Sequence, residues 1–213
     1  SAGWGRQWAD AHPDSFVPAA LRSLWHYHAE AWRFHIGLNS GHAYASNALS
    51  WPFQARPTAF YWKTLTEGEQ GCTVKNCSAE VVALGNPIIW WAAALAIVHQ
   101  LWRWVGSRDW RSGAVLVGIL AGWVPWLMYL DRTIFTFYTV VYVPFVVMAL
   151  SMSLGTILGP ADAPVRRRRD GAIVVGVLLV LVVAAAWWFY PVWTGEVMPN
   201  DAWRMRMWFP TWV

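Results

Sequence analysis

Residues 42–57 read HAYASNALSWPFQARP and concentrate groups that bind rather than break bonds: His42, Tyr44, Ser46, Trp51 and Arg56. Hydroxyls, an imidazole and a guanidinium beside aromatic faces suit a carbohydrate or a lipid headgroup. The same composition suits interfacial anchors whose polar atoms are already hydrogen-bonded, and the residue types leave both readings open. A second constellation is Asp131-Arg132, a charged pair between two long apolar runs. An Arg fork matches the oxygens of a phosphate, whereas a solvated turn would need no ligand. Cys72 and Cys77 stand in a C-x4-C spacing, which favours a small disulfide loop; no second Cys pair or close His pair completes a metal site. His26 and His28 are two apart, so on a helix they point to different sides and no metal is expected there. The chain has no Walker A loop, no GxGxxG after a strand, no HExxH and no Ser nucleophile elbow. It also has no Asp-Glu or Asp-x-Asp pair, so a carboxylate base would have to come from other residues.

These groups need elements to position them. Residues 18–36 carry Leu21, Leu24, Trp25, His28, Trp32, His35 and Ile36 on one face at helical spacing. Asp14 or Ser15 is the expected cap, with Pro18 in the first turn. A helix with this Trp-rich face suits the bilayer interface or ordinary packing against the fold. Beyond Gly37 the period stops, and with Pro52 and Pro57 the stretch 39–62 reads as a loop. From Pro87 onward the chain is almost wholly apolar. Four membrane spans are expected at about 87–104, 112–130, 133–158 and 171–190, although the first carries His99 and Gln100. Gly118 and Gly122 form a GxxxG pattern suited to close helix packing.

Composition agrees. Of 213 residues, 57% are hydrophobic and 13% charged, against about 25% charged in a soluble domain. Nineteen Trp and seven Tyr fit interfacial aromatic belts. Arg103, Arg108 and Arg111 lie at or just after the end of the first expected span, and Arg166, Arg167, Arg168 and Arg169 lie between the third and fourth. With four spans both clusters fall on one side, which the positive-inside rule makes cytoplasmic. Residues 1–86, the Asp131-Arg132 turn and a short Trp-rich interfacial tail at the C-terminus then lie outside, where a disulfide persists. The expectation is an all-α, multi-pass plasma-membrane protein: an extracytoplasmic amphipathic helix and loop region over 1–86, then a four-span region over 87–213. The sequence begins at Ser1 and reads as a fragment of a longer chain.

The segments SLWHYHAEAWRFHIGLNSGHAYASNALSWPFQARPTAFYW, LGNPIIWW, VPWLMYLDRTIFTFY and GP.DA..RRRR, in that order and with the paired cysteines, resemble the bacterial protein O-mannosyltransferases, most of all the actinobacterial branch. The likeness corresponds to the C-terminal four-span region of these GT-C glycosyltransferases. It implies transfer of mannose, with inversion, from polyprenyl-phosphate mannose to Ser or Thr of secreted proteins. It implies no cofactor, and a catalytic Asp-Glu pair in the family's first extracytoplasmic loop, which this sequence does not contain. These residues alone are therefore expected to be inactive. The His-x-Tyr-x-Ser, Trp-Pro and Arg-Pro pattern maps onto His42, Tyr44, Ser46, Trp51 and Arg56 as a wall of the sugar or acceptor cavity. Arg132 and Tyr138 match the family's Arg followed by aromatics, and imply a contact to the donor phosphate. Many relatives carry Trp-x-Trp where this sequence has Leu49-Ser50-Trp51. Expected partners are the lipid-linked donor, secreted acceptor proteins, the membrane and the secretion translocon, with no nucleic acid. Two other readings remain at this level: a related lipid-phosphate-sugar transferase with a non-protein acceptor, and a non-catalytic membrane interaction module.

Overall fold

The computed structural model describes residues 8–13 and 16–213. They divide into two compact units, Ser1–Gly41 with Asp131–Thr133, and His42–Leu130 with Ile134–Val213.

The first unit is built on helix α1, Ala19–Gly37. Pro18 precedes it with no side-chain cap; the expected caps Asp14 and Ser15 lie outside the described residues. The Arg22 side chain ties the helix to the residues before it, donating to the carbonyls of Val17 at 2.9 Å, Ala9 at 3.2 Å and His12. Trp8 stacks on His26 with ring centroids 4.2 Å apart. None of the α1 residues is buried, and Leu21, Leu24, Trp25, Trp32, Phe34 and Ile36 all remain exposed. Thr133 closes the unit, its N–H donating to the Leu38 carbonyl at 3.1 Å and its hydroxyl to that of Ser40.

The second unit opens with a 3-10 turn, Ala48–Phe53, followed by an antiparallel hairpin of β1, Thr58–Thr66, and β2, Asn76–Ala83. This corrects the all-α expectation, and the reading of 39–62 as a loop for its last residues, 58–62, which lie in β1. Six of the nine residues in TAFYWKTLT are β-branched or aromatic, which favours a pleated strand over a helix. Its alternation is blurred by a bulge between Ala59 and Tyr61. Cys72 and Cys77 form a disulfide at the hairpin's tip. A two-residue strand β3, Met198–Pro199, pairs with the other edge of β2.

Four longer helices follow the hairpin in sequence: α2 Pro87–Ser107, α3 Trp110–Leu127, α4 Val143–Leu158 and α5 Val165–Thr194. Asn86 caps α2, its carboxamide oxygen accepting from Ile88 N–H at 3.1 Å and Ile89 N–H at 3.3 Å, with Pro87 in the first turn. Asp109 caps α3 and also pairs with Arg103 at 2.7 Å, pinning the turn between the two helices. α2 and α5 are long and apolar enough to cross a membrane; α3 and α4 are shorter. Helix α4 starts at Val143, well after residue 133. Pro144 explains this: in a helix starting at 133 it would sit in the interior and delete a hydrogen bond, whereas here it occupies the first turn. Residues Thr136–Val141 form a 3-10 turn instead. Conversely, α5 begins at Val165, so all four arginines lie in its first turns.

The helices meet in a core of Trp51, Trp90, Ala93, Ile119, Tyr142, Val146 and Ala149. Gly118 and Gly122 are positions of close approach: an added Cβ would lie 2.3 Å from the Phe145 ring or 2.8 Å from the Tyr142 Cβ. His99 and Gln100, the polar residues of α2, are used internally. Gln100 donates to Ser153 Oγ at 2.8 Å and accepts from Ser112 Oγ at 2.7 Å, binding α2 to α4 and α3. A second cluster, with Phe189, Val192, Trp203 and Trp212, seats the sheet on the end of α5. The C-terminal stretch thus packs back onto the unit through a short helix α6, Asn200–Arg204, and Trp203 and Trp212 are core side chains.

Candidate functional site

The residues singled out in the sequence fall into three local arrangements, two of them in the second unit. The first is a buried aromatic brace. Trp51 is fully buried, and its indole N–H donates to Ser46 Oγ at 2.8 Å. Thr136 Oγ1 donates toward Ser46 Oγ at 3.1 Å and to the Arg56 carbonyl. Tyr138 stacks on Trp126 at 4.5 Å with planes 15° apart, and Trp51 meets both rings edge-on. The motif's 3-10 turn is held by Asn47, whose side chain accepts from Leu49 N–H at 2.9 Å, and by Trp123, which donates to the Ala48 carbonyl at 2.8 Å. Ser46, Trp51 and Tyr138 therefore form one packed scaffold.

The second arrangement is an exposed rim. Tyr44 N–H donates to His42 Nδ1 at 3.1 Å, which leaves Nε2 as the protonated nitrogen of a neutral ring. His42 meets Phe135 edge-on at 5.1 Å. Arg56 reaches back under this rim. Its guanidinium donates to the carbonyl of Ala43 at 2.8 Å and to those of Thr211 and Val213 at 2.7 and 2.9 Å, and lies 5.4 Å from the Tyr44 ring centroid. Arg56 is thus a clip between the motif and residues 211–213. Gln54, in a left-handed conformation at φ 54°, does similar work: it accepts from Gly85 N–H at 2.9 Å through its side chain, and from the Trp212 indole at 2.7 Å through its carbonyl.

Beside the rim lies a cavity of about 300 Å³ lined by Tyr44, Trp62, Glu80, Trp203 and Val213. Glu80 is 2% exposed, and its Oε2 accepts from the Trp203 indole at 2.6 Å. Burial pushes its carboxyl above the usual carboxylate range, against the lowering effect of that hydrogen bond. Trp62, its direct cross-strand partner, meets Trp203 edge-on at 4.5 Å. The sequence reading missed Glu80, Trp62 and Trp203. The available signal was a lone acid in the otherwise uncharged strand NCSAEVVA, where an apolar residue would be ordinary.

The third arrangement belongs to the first unit. Arg132 Nη2 donates to His35 Nδ1 at 3.3 Å, so the turn is tied to α1 through the side chain proposed to meet phosphate. Among the described residues no group of three or more His, Cys, Asp and Glu is placed to hold a metal.

Comparison with known proteins places this geometry. Residues 20–212 match the family described as the C-terminal four TMM region of protein-O-mannosyltransferase. A polyprenol-phosphate-mannose–protein mannosyltransferase of Mycolicibacterium smegmatis is 37% identical over 206 residues, which cover 94% of this chain and 40% of that protein. The enzyme of the same name from Mycobacterium tuberculosis is 38% identical over 200 residues, 92% of this chain and 38% of that one. The chain therefore spans about two fifths of the length of these relatives. In fold it resembles the S. cerevisiae protein O-mannosyltransferase Pmt1–Pmt2 complex bound to the sugar donor, with a TM-score of 0.71 over 94% of this chain and 27% of that one, at 23% identity. The motif resemblance, the helical membrane architecture with its small sheet, and the match over nearly the whole chain agree: the chain belongs to the protein O-mannosyltransferase family, in its C-terminal membrane region.

Proposed function

We propose that these residues serve as the C-terminal membrane region of a polyprenyl-phosphate-mannose–protein mannosyltransferase, which moves mannose from the lipid-linked donor to Ser or Thr hydroxyls of secreted proteins. The observation that carries this reading is the 37% identity to a mannosyltransferase of that name across 94% of the chain. In this reading α2, α3, α4 and α5 all span the bilayer. The arginine clusters at both cytoplasmic turns set the orientation, and α1, the hairpin and the HAYASNALSWPF motif stand outside. The Trp-rich exposed face of α1 then lies in the interfacial layer.

The transfer breaks the bond between the mannose anomeric carbon and its phosphate oxygen, and forms one to the acceptor hydroxyl oxygen. The acceptor's proton passes to a carboxylate of the family's first extracytoplasmic loop, which is not among these residues. The negative charge that develops on the leaving phosphate needs a fixed cation. Arg132 supplies one, held in place by its hydrogen bond to His35. His42 and Tyr44 form the rim that meets sugar or acceptor, and the braced Ser46, Trp51, Arg56 and Tyr138 hold that rim in position. In the enzyme containing this chain, Arg132→Ala is expected to lower kcat by about a hundredfold or more, the scale of a lost transition-state donor. Arg108→Ala, at the turn between α2 and α3, leaves kcat within about twofold in the same donor-to-peptide assay, as a surface change away from the site does. Equal losses in the two variants would remove the assignment.

A further inference from the structure

We propose that Trp62, Glu80 and Trp203, with Tyr44 shared from the rim, form an adjoining carbohydrate subsite, in which the Glu80 carboxyl takes hydroxyls of a neutral hexose resting against the exposed Trp62 ring. Three observations carry this. The first is an acceptor with nothing to accept. Glu80 is 2% exposed and uses Oε2 for the Trp203 indole, while among the described residues Oε1 accepts no hydrogen bond. Oε1 is not one of the fully buried, unpaired polar atoms among the described residues, so it remains open to an incoming hydroxyl. That oxygen belongs to a residue lining a cavity of about 300 Å³, the small end of the range for ligand pockets.

The second observation is the wall. Trp62 is directly paired with Glu80 across β1 and β2, so both side chains leave the same face of the sheet. Trp62 is 43% exposed and braced edge-on by the buried Trp203, leaving an aromatic surface beside the carboxyl. An apolar platform flanked by a hydrogen-bonding carboxyl matches a sugar ring, which has an apolar face and a hydroxylated edge.

The third observation weighs against the other common occupant of an aromatic cage, an organic cation, on the Tyr44 ring. The Arg56 guanidinium already lies 5.4 Å from the Tyr44 ring centroid, so a second positive charge there would meet repulsion. A neutral polyol brings no further charge to a carboxyl whose pKa burial already raises.

The choice of mannose as the probe rests on the proposed transfer reaction; the site itself does not. The test uses the enzyme containing this chain, in lipid nanodiscs, with methyl α-D-mannoside followed by saturation-transfer NMR. Ring-proton saturation is expected in the parent protein. It should fall to background in Trp62→Ala, and binding should weaken by about tenfold in Glu80→Gln, the scale of one strong hydrogen bond. Glu80→Gln retains an acceptor for the Trp203 indole, and Trp62→Ala loses the ring contact to Trp203 but leaves its hydrogen bond to Glu80; thermal melting verifies that both variants fold. No saturation in the parent, saturation unchanged in both variants, or choline binding in place of the mannoside would overturn the subsite. Donor-to-peptide transfer, measured on the same preparations, separates the two readings. Transfer without mannoside binding sinks the subsite alone. Binding without transfer sinks the proposed reaction alone.

Discussion

At the scale of single residues, the same motif supplies both scaffold and rim, and hydrogen-bond accounting separates them. Ser46 and Trp51 satisfy each other in the interior, and Arg56 commits its guanidinium to backbone carbonyls. Tyr44 instead lines a cavity with Glu80. Glu80 gives a direct test through its titration. Burial raises its folded pKa above the value near 4.5 of an unperturbed glutamate, so the folded state holds the proton more tightly than the unfolded chain. The stability tied to that proton is complete below the unfolded value and is lost as pH rises through the raised folded one. Glu80→Gln removes the titration and keeps an acceptor for Trp203. Its melting temperature relative to the parent should therefore climb as pH goes from about 4 to about 8. A difference that stays constant with pH would contradict the assignment. Little of this was legible beforehand. The motif could be read as binding-type chemistry, but whether a serine faces a ligand or a buried indole depends on residues far away in sequence, here Thr136 and residues 211–213.

At the scale of elements, legibility followed the strength of the local signal. Long uncharged runs gave the helices, and Asn86-Pro87 marked the start of α2 almost to the residue. The start of α4 was misplaced because hydropathy was read without Pro144, although that proline was visible. The hairpin was missed for a different reason. A bulge disturbs the two-residue period of β1, and β2 is buried along most of its length, so neither strand shows clean alternation. Close helix packing yields a paired prediction. An added Cβ at Gly171 would lie 2.3 Å from the Ile157 carbonyl oxygen, a backbone atom that cannot swing aside. Gly171→Ala gains about 1 kcal/mol of helix propensity but loses about 1–3 kcal/mol to overpacking, so the net effect is destabilising. At Gly176 nothing lies within 4 Å, and Gly176→Ala should be neutral or stabilising by about 0.5–1 kcal/mol. Thermal melting of the two variants in the same detergent checks the order; a more stable Gly171→Ala protein would show that α5 and α4 do not meet as described.

At the scale of the whole molecule, the chain belongs to a C-terminal membrane region, and its sequence holds no Asp-Glu or Asp-x-Asp pair. The proposed function gives the binding and positioning groups argued above a reaction to serve. In the proposed account donor phosphate meets Arg132, the motif rim meets sugar or acceptor, and the base arrives from the family's first extracytoplasmic loop. That division predicts that the 213 residues by themselves make no product. The most direct measurement supplies membranes containing the enzyme with polyprenyl-phosphate mannose, radiolabelled in the sugar, and a Ser/Thr-containing acceptor peptide. The account predicts label on the peptide that β-elimination releases, in membranes with the longer enzyme and not in membranes with these residues alone. Label only on lipid or glycan, or transfer by these residues alone, would contradict it.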